Sequence, residues 1–593
     1  MKNHVNRNFL WAQIFVEQLS KSGVKYASIS PGSRSTPLTL AFSENSKIKT
    51  FVNIDERTSG FFALGLANKT NSPVAVVTTS GTATANLYPA IIEAFQQRIP
   101  LIVCTADRPP EMQNCGANQT INQQNIYANH IRYFANIGLP SLSMNKINRL
   151  KKITHTAVQN SLIFKRGPIH LNFPFRKPFE PKTFTDSISK DFITKSKVFI
   201  YSKAGISKTD LLSKNKIAEF TGAVKKYRKG IIICGGYNYS NKFPEICTSF
   251  ASKLGYPIFA EGNSGLRFSN SSKKLVLSNS TAFLKSDALK KIIRAEIIIQ
   301  FGNTPISNIV QNFIKKSKAD KYLINSFGDY QDPSRTAQNV FAITPEDFCR
   351  SFLDSTKNLN FTRSKEWINK LLTYEKISED IKREKIENAK FPFEGRIVTE
   401  TFKLIPNNTN FMFSNSMPVR DLDFFASFNK KYINIFSNRG ASGIDGIIST
   451  AAGVAVESVN PTVLIIGDLA FYHDMNSLLI LRKQKIPLVI ILIDNNGGGI
   501  FNMLPISSYR KSFTNYFRAP LDIDLLSFAK SYGGNSYEIE NWEDLNTHFL
   551  SALKRKRFTV LRIKTNAKNS LKIREAYWQK VDKEIKTYND NPK

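Results

Sequence analysis

The stretch from Gly467 to Gly499, GDLAFYHDMNSLLILRKQKIPLVIILIDNNGGG, places the strongest constraint on the fold. An apolar run, Thr462 to Ile466, ends in Gly467-Asp468. A segment of helical spacing follows, and a second apolar run, Pro487 to Ile493, ends in Asp494-Asn495-Asn496 and three glycines. Two such runs joined through a helix pair as parallel strands, whose carboxyl ends lie side by side. Asp468 and Asn495 therefore converge. A carboxylate, an amide oxygen and a backbone carbonyl among the glycines suit a hard divalent ion such as Mg2+, which completes its octahedron with phosphate oxygens. Gly497 to Gly499 permit backbone to approach a ligand closely. An ordinary strand end with a capping Asp and a glycine turn accounts for the same letters, so spacing alone leaves both readings open.

The same alternation recurs along the chain. Strands are expected at Tyr26 to Ser30, Thr50 to Asp55, Pro73 to Thr79, Pro100 to Ala106 and Gly167 to Phe175. Helices are expected between them, at Asn8 to Ser22, from Ser35 through Leu40, at Glu56 to Asn68 and at Gly81 to Gln97. A polar linker, Glu180 to Ser196, leads to a second series: strands at Lys229 to Gly235, Pro257 to Ala260, Ala295 to Gly302 and Lys321 to Phe327, with a helix at Pro244 to Leu254. Charged helix-like sequence, Ser364 to Lys390, leads to a third series, with strands at Asn410 to Ser414, Tyr432 to Phe436, Thr462 to Ile466, Pro487 to Ile493 and Phe558 to Ile563. A small-residue helix is expected at Ile444 to Glu457. Regular alternation means α/β, here three doubly wound parallel-sheet domains. Their expected bounds are 1–180, 197–355 and 391–593, which suits a chain of 593 residues, too long for one core.

The net charge of +35 raises the question of nucleic acid. Lys and Arg are spread without a zinc-finger, RNP-like or basic-helix pattern, and clusters such as Lys225 to Lys229 and Lys554 to Arg557 read as solvated faces. The expectation is no nucleic-acid partner, with a basic surface that draws in anions. No run of about 18 apolar residues occurs and the first residues lack a signal-peptide pattern, so no membrane partner and a soluble cytoplasmic protein are expected. The five cysteines lack CxxC spacing and read as buried fillers.

Chemistry concentrates at strand-end loops, where ligands bind in open α/β sheets. Glu56 follows a strand and opens a helix. It is either a dipole-favoured acid, or one paired with Arg57, or a partly desolvated carboxylate at a crevice edge. Arg34, Arg108, Arg420 and Arg439 sit on loops of the first and third domains and are suited to bidentate capture of carboxylates. The histidines show no catalytic or metal-ligand spacing and are assigned structural roles.

The segments SPGSRSTPL (Ser30 to Leu38), DERTSGFFALGLA (Asp55 to Ala67), TSGTATANLYPAIIEA (Thr79 to Ala94), TADRPPE (Thr105 to Glu111), GANQTINQ (Gly116 to Gln123), SNRGASGIDGIISTAAG (Ser437 to Gly453), GDLAFYHDMNSL and DNNGGGIFNMLP resemble a known family. It is the family of menaquinone-pathway 2-succinyl-5-enolpyruvyl-6-hydroxy-3-cyclohexene-1-carboxylate synthases, within the thiamine-diphosphate-dependent superfamily. The resemblance is dense in the first and third domains and weak in the middle one.

The resemblance implies a pyrimidine-binding first domain, a diphosphate-binding third domain and active sites between subunits of a dimer or tetramer. It implies Mg2+ or Mn2+ on Asp468, Asn495 and the Gly497 carbonyl, and thiamine diphosphate bound by Glu56, Ser416, Ile444, Asp468, Leu469, Ala470, Asn495, Gly497, Gly498, Ile500, Phe501 and Leu504. Glu56 would act from the facing subunit on the aminopyrimidine ring. Ser33, Arg34, Arg108, Asn118, Gln119, Arg420 and Arg439 would bind two anionic substrates, 2-oxoglutarate and isochorismate. The implied reaction is decarboxylation of the first and 1,4-addition of the succinyl carbanion equivalent to the second, with CO2 released. The arginine set favours dianionic substrates over pyruvate, the substrate of a rival decarboxylase or acetolactate-synthase-like reading. The chain departs from the family at GNTPISNIV (Gly302 to Val310), where Asn308 and Ile309 stand in place of basic residues. GDL replaces the superfamily's GDG, and Asp494 stands where Asn is frequent. Neither change removes a metal oxygen.

Overall fold

Apolar runs of four to seven residues become interior strands, because only a strand covered on both faces buries every side chain of such a run. The computed structural model describes residues 6–163, 165–181, 186–200, 214–286, 289 and 292–590. It contains three six-stranded sheets whose strand pairings are all parallel. The first holds β1 (Tyr26–Ile29), β2 (Lys49–Val52), β3 (Val74–Thr78), β4 (Leu101–Asp107), β5 (Phe134–Asn136) and β6 (Ile169–Pro174), in the order β2-β1-β3-β4-β6-β5. The second holds β7 (Gly230–Cys234), β8 (Ile258–Ala260), β9 (Val276–Leu277), β10 (Ile297–Phe301), β11 (Asp320–Asn325) and β12 (Asn339–Ala342), in the order β12-β11-β10-β7-β8-β9. This second sheet has the order found in dinucleotide-binding folds. The third holds β13 (Thr409–Phe413), β14 (Ile433–Phe436), β15 (Thr462–Gly467), β16 (Leu488–Asp494), β17 (Asn535–Glu538) and β18 (Thr559–Lys564), in the order β14-β13-β15-β16-β18-β17.

The expected fold class holds, with differences in detail. The expected helix over Gly81 to Gln97 is two helices, Thr82–Asn86 and Tyr88–Gln97, because Pro89 withholds a backbone donor just after Leu87. The segment after Asp468 breaks into Asp468–His473, a short 3-10 turn and Leu478–Lys483. The small-residue helix spans Ile447–Ala455, leaving Ile444 in the preceding loop. The expected linker carries a helix, Lys190–Ser196, and its Asp186 pairs with Arg7 at 2.5 Å; residues 182–185 of that linker lie outside the described residues. Cys115 is exposed, whereas the other four cysteines are buried as fillers. No helix among the described residues is long and apolar enough to cross a membrane.

One core joins the first and third sheets. Helix Glu56–Thr70, which follows β2, packs on Ile447–Ala455, which follows β14. A Cβ on Gly65 would lie 2.0 Å from the Thr450 carbonyl oxygen, and one on Gly453 would lie 2.1 Å from that of Phe62. The two helices therefore touch backbone to backbone, which only glycine permits.

Candidate active site

The loop ends of β15 and β16 bring Asp468, Asn495 and Gly497 together, as their spacing predicts. Asp468 is buried at the first turn of its helix. Its Oδ1 accepts from Leu469 N at 2.7 Å, and its Oδ2 accepts from Asn495 N at 3.0 Å and Gly497 N at 2.8 Å. Burial nonetheless raises its pKa; nearby Asp494 adds to the rise, and the three N–H groups oppose it. Asp494 itself leans toward Arg562, 3.8 Å away, leaving the loop to Asn495. The Asn495 side-chain oxygen is buried and has no hydrogen-bond partner. Gly497, at φ +128°, admits no side chain, since a Cβ would meet the Arg518 carbonyl at 2.1 Å. Its own carbonyl accepts from Gly499 N at 2.8 Å, so one lone pair is engaged and one is free for a ligand. Arg518 ties the loop by donating to Asn495 O at 2.7 Å and Asn496 O at 2.9 Å.

No group of three or more His, Cys, Asp and Glu that could hold a metal occurs among the described residues. The Asp468 loop offers a different donor set. A desolvated carboxylate in the same loop as an unpartnered amide oxygen fits a hard divalent ion, which would supply the charge that burial withholds.

Arg420 and Arg439 form a second group beside this loop. Ser416, at φ 71°, immediately precedes helix Met417–Phe425. Its carbonyl accepts from Arg420 Nη1 at 2.6 Å, and Arg439 Nη1 donates to Asn415 Oδ1 at 2.7 Å. Burial lowers the pKa of both arginines, and Arg439 lowers that of Arg420 further. Glu93 of the first unit fixes the Arg439 loop from below, accepting from Gly440 N at 2.7 Å and Ala441 N at 2.6 Å. The middle unit reaches the same place through Glu261, at the end of β8, whose charge raises Arg439 against its burial. Ile444 (37% exposed) and Leu504 (46% exposed) stand open to solvent, while Ile500 and Phe501 are half-buried. Leu469 is half-buried and Ala470 and Gly498 are buried within the loop walls.

Arg34 and Arg108 form a third group at the carboxyl ends of the first sheet. Both are buried. Arg34 Nη1 donates to Phe175 O at 2.7 Å and its guanidinium lies 4.6 Å over the Phe179 ring. Arg108 Nη1 donates to Ser80 Oγ. Burial, with Arg108 alongside, lowers Arg34 to about 10. The Nε atoms of Arg34, Arg108 and Arg439 are all buried without a hydrogen-bond partner. Gln119 Nε2 donates to Ser80 O at 2.8 Å, and Ser33 and Asn118 are exposed at the rim.

Glu56 is half-buried at the start of its helix. Arg57 does not pair with it but donates to His473 O at 2.9 Å, and Asn476 donates to Asp55 at 3.3 Å. Within one chain, then, Glu56 lies by the far end of the helix that Asp468 opens.

Several residues of this region escaped the sequence reading. Gln123 is buried and accepts from Gly81 N at 2.9 Å while donating to Ala106 O and Asn172 Oδ1, each at 3.1 Å. Asn172 in turn donates to Asp107 at 2.8 Å. A polar residue inside the apolar strand IHLNFP was the available signal for Asn172. Glu93, Asn415, Glu394 and Arg518 carry no comparable mark.

The profile described as thiamine pyrophosphate enzyme, N-terminal TPP binding domain, matches residues 11–126; the middle-domain profile matches 190–413; the C-terminal TPP binding domain profile matches 424–563. The benzoylformate decarboxylase of Polynucleobacter necessarius shares the fold, with a TM-score of 0.67 and 16% identity over 94% of this chain and 98% of that one. So does the thiamine diphosphate-dependent 4-hydroxybenzoylformate decarboxylase of Rhodococcus jostii RHA1, with a TM-score of 0.68 and 13% identity over 94% and 99%. A 2-succinyl-5-enolpyruvyl-6-hydroxy-3-cyclohexene-1-carboxylate synthase of Bacillus cytotoxicus is 34% identical over 587 residues, 99% of each chain. The synthase of the same name from Listeria welshimeri is 36% identical over 98% of this chain and 99% of that protein. The chain thus belongs to the 2-succinyl-5-enolpyruvyl-6-hydroxy-3-cyclohexene-1-carboxylate synthase family of thiamine pyrophosphate enzymes.

Proposed function

We propose that this protein decarboxylates 2-oxoglutarate and adds the resulting four-carbon unit 1,4 to isochorismate, releasing CO2, as a step of menaquinone biosynthesis. The observation that carries the substrate assignment is the set of three arginines, Arg34 and Arg108 buried and Arg439 half-buried, each with a buried, unpartnered Nε–H. A buried guanidinium donor without an acceptor is costly, and a carboxylate supplies the acceptor and the opposite charge together. Both substrates carry more than one carboxylate, which fits several such donors. Ser33, Asn118 and Gln119 add exposed donors at the rim, and half-buried Arg420 adds one beside Arg439.

Asp468, Asn495 Oδ1 and the Gly497 carbonyl would hold Mg2+ or Mn2+ against the cofactor diphosphate, with Ser416, Leu469, Ala470 and Gly498 lining its path. When bound, thiamine diphosphate supplies the carbon nucleophile and electron sink that decarboxylation needs. Ile444, Ile500, Phe501 and Leu504 form an apolar wall, and a wall that excludes water favours loss of a charged carboxylate as CO2. Glu56 of a second copy would hold a hydrogen bond to the cofactor's pyrimidine ring at its carboxylate. The exposure of Ile444, Leu504, Val52 and Ile54 supports cover by that second copy, in a dimer or tetramer.

Mixing the protein with thiamine diphosphate, Mg2+, 2-oxoglutarate and isochorismate should consume isochorismate, followed by its ultraviolet absorbance. Pyruvate should not replace 2-oxoglutarate. No consumption by a folded, cofactor-saturated sample sinks the assignment.

A further inference from the structure

The side chain of Asn495 presents an oxygen on one side and an NH2 group on the other, and a cation accepts only the first. Something must choose. Glu394, the first residue of helix Glu394–Leu404 and only 1% exposed, lies against this amide. Its Oε1 accepts from Asn495 Nδ2 at 3.3 Å and from Thr565 Oγ1 at 2.9 Å. Its Oε2 accepts from Arg574 Nη2 at 2.8 Å. Arg574, 2% exposed on the C-terminal helix Ala567–Asp590, also forks onto Asp421 through Nε at 3.0 Å and Nη2 at 2.7 Å. Glu394 is therefore held in place by a buried guanidinium that admits only acceptors.

A carboxylate fixed in this way offers Asn495 an acceptor and nothing else. The amide must turn its NH2 toward Glu394, and its oxygen is then turned away from Glu394. That oxygen is the one found buried without a partner. Gly499 leaves room for the arrangement, since a Cβ there would meet Asn495 Nδ2 at 2.7 Å. We infer that Glu394 is a positioning residue, which sets the Asn495 amide with its oxygen toward the divalent-cation site. The inference rests on the reading of Asp468 and Asn495 as cation ligands.

A substitution that inverts the hydrogen-bonding demand tests it. In Glu394→Gln, Arg574 still requires an acceptor, so the introduced amide turns its oxygen to Arg574 and its NH2 to Asn495. Asn495 then turns its oxygen to that NH2 and its own NH2 to the cation. Mn2+ affinity of the full-length protein with thiamine diphosphate, read from the free-Mn2+ electron paramagnetic resonance signal, should fall about 10- to 100-fold. In the double variant Glu394→Gln, Asn495→Asp, one oxygen of the introduced carboxylate accepts from the introduced amide and the other faces the cation. Affinity should return to within about threefold of wild type, which a purely structural role for Glu394 does not predict. Glu394→Asp keeps the charge opposite Arg574 but withdraws the acceptor, and should weaken Mn2+ binding even if the Glu394→Gln protein does not fold. Wild-type affinity in Glu394→Gln or Glu394→Asp, or a double variant no better than the single one, overturns the inference. Absence of Mn2+ binding by the wild type would instead overturn the cation site itself.

Discussion

Asp474 shows how one buried acid shapes this region. It is buried and accepts from Ser449 N at 2.7 Å and Ser449 Oγ at 3.0 Å, so it caps the helix Ile447–Ala455, which lacks a capping side chain of its own. Burial raises it to about 7, Asp55 nearby adds to the rise, and the Ser449 hydrogen bonds and Arg57 oppose it. Because the folded-state pKa lies above the unfolded value near 4, the folded protein binds the proton more tightly. Stability should therefore decline as pH rises from about 4 to about 7, by at most about 1.4 kcal/mol per pH unit, and this contribution should be flat above 7. Asp474→Asn should lose that slope in denaturant melts run across the range; an unchanged slope would assign it elsewhere. Asp474 went unnoticed in the sequence, as did Glu394 and Arg574, because their partners are remote. Asn495 and Glu394 are 101 positions apart, and Glu394 and Arg574 are 180 apart. Asp468 and Asn495 were legible because strand ends fix where their side chains go, whatever the rest of the chain does.

Among elements, the interior strands and the edge strands β2 and β14 were readable, and the other four edge strands were not. β5, β9, β12 and β17 are two to four residues long, and β5 and β17 are half-buried throughout, so none shows the apolar run that marks a covered strand. The close crossing of Glu56–Thr70 on Ile447–Ala455 was also invisible, although the small residues that permit it were plain in the sequence. It makes a sharp prediction. Gly65→Ala should cost about 3 kcal/mol, since the Thr450 carbonyl stands 2.0 Å from the new methyl and is backbone that cannot move aside. Gly222→Ala, in helix Lys214–Lys226 with open space around it, should instead gain about 0.5–1 kcal/mol by restricting the unfolded chain. Chemical denaturation of the two variants compares them directly, and equal effects would rule out the close crossing as the cause.

At the scale of the whole molecule, three α/β units were legible from alternation, but strand order was not. The same alternation serves both the order of the second sheet and the different order shared by the first and third. The net charge of +35 belongs to this scale as well. With anionic substrates, kcat/KM at low substrate should fall several-fold between about 0.02 and 0.5 M salt, as screening removes long-range attraction, while kcat changes little. Steady-state rates across that range test this, and a salt-independent kcat/KM would mean that the surface charge plays no part in capture. The two glycines at the helix crossing carry a last consequence. Gly65 meets Thr450 as Gly453 meets Phe62, and Gly453 follows Gly65 along the chain by the same number of positions as Thr450 follows Phe62. The contact is self-complementary, like that across a two-fold axis in a homodimer, but here it lies within one chain. Combined with the shared strand order, it describes two units of like topology that face each other with equivalent surfaces. The same spacing pairs Glu56 with Ile444. Equivalent positions of the two units thus carry an acid on one side and an apolar side chain on the other.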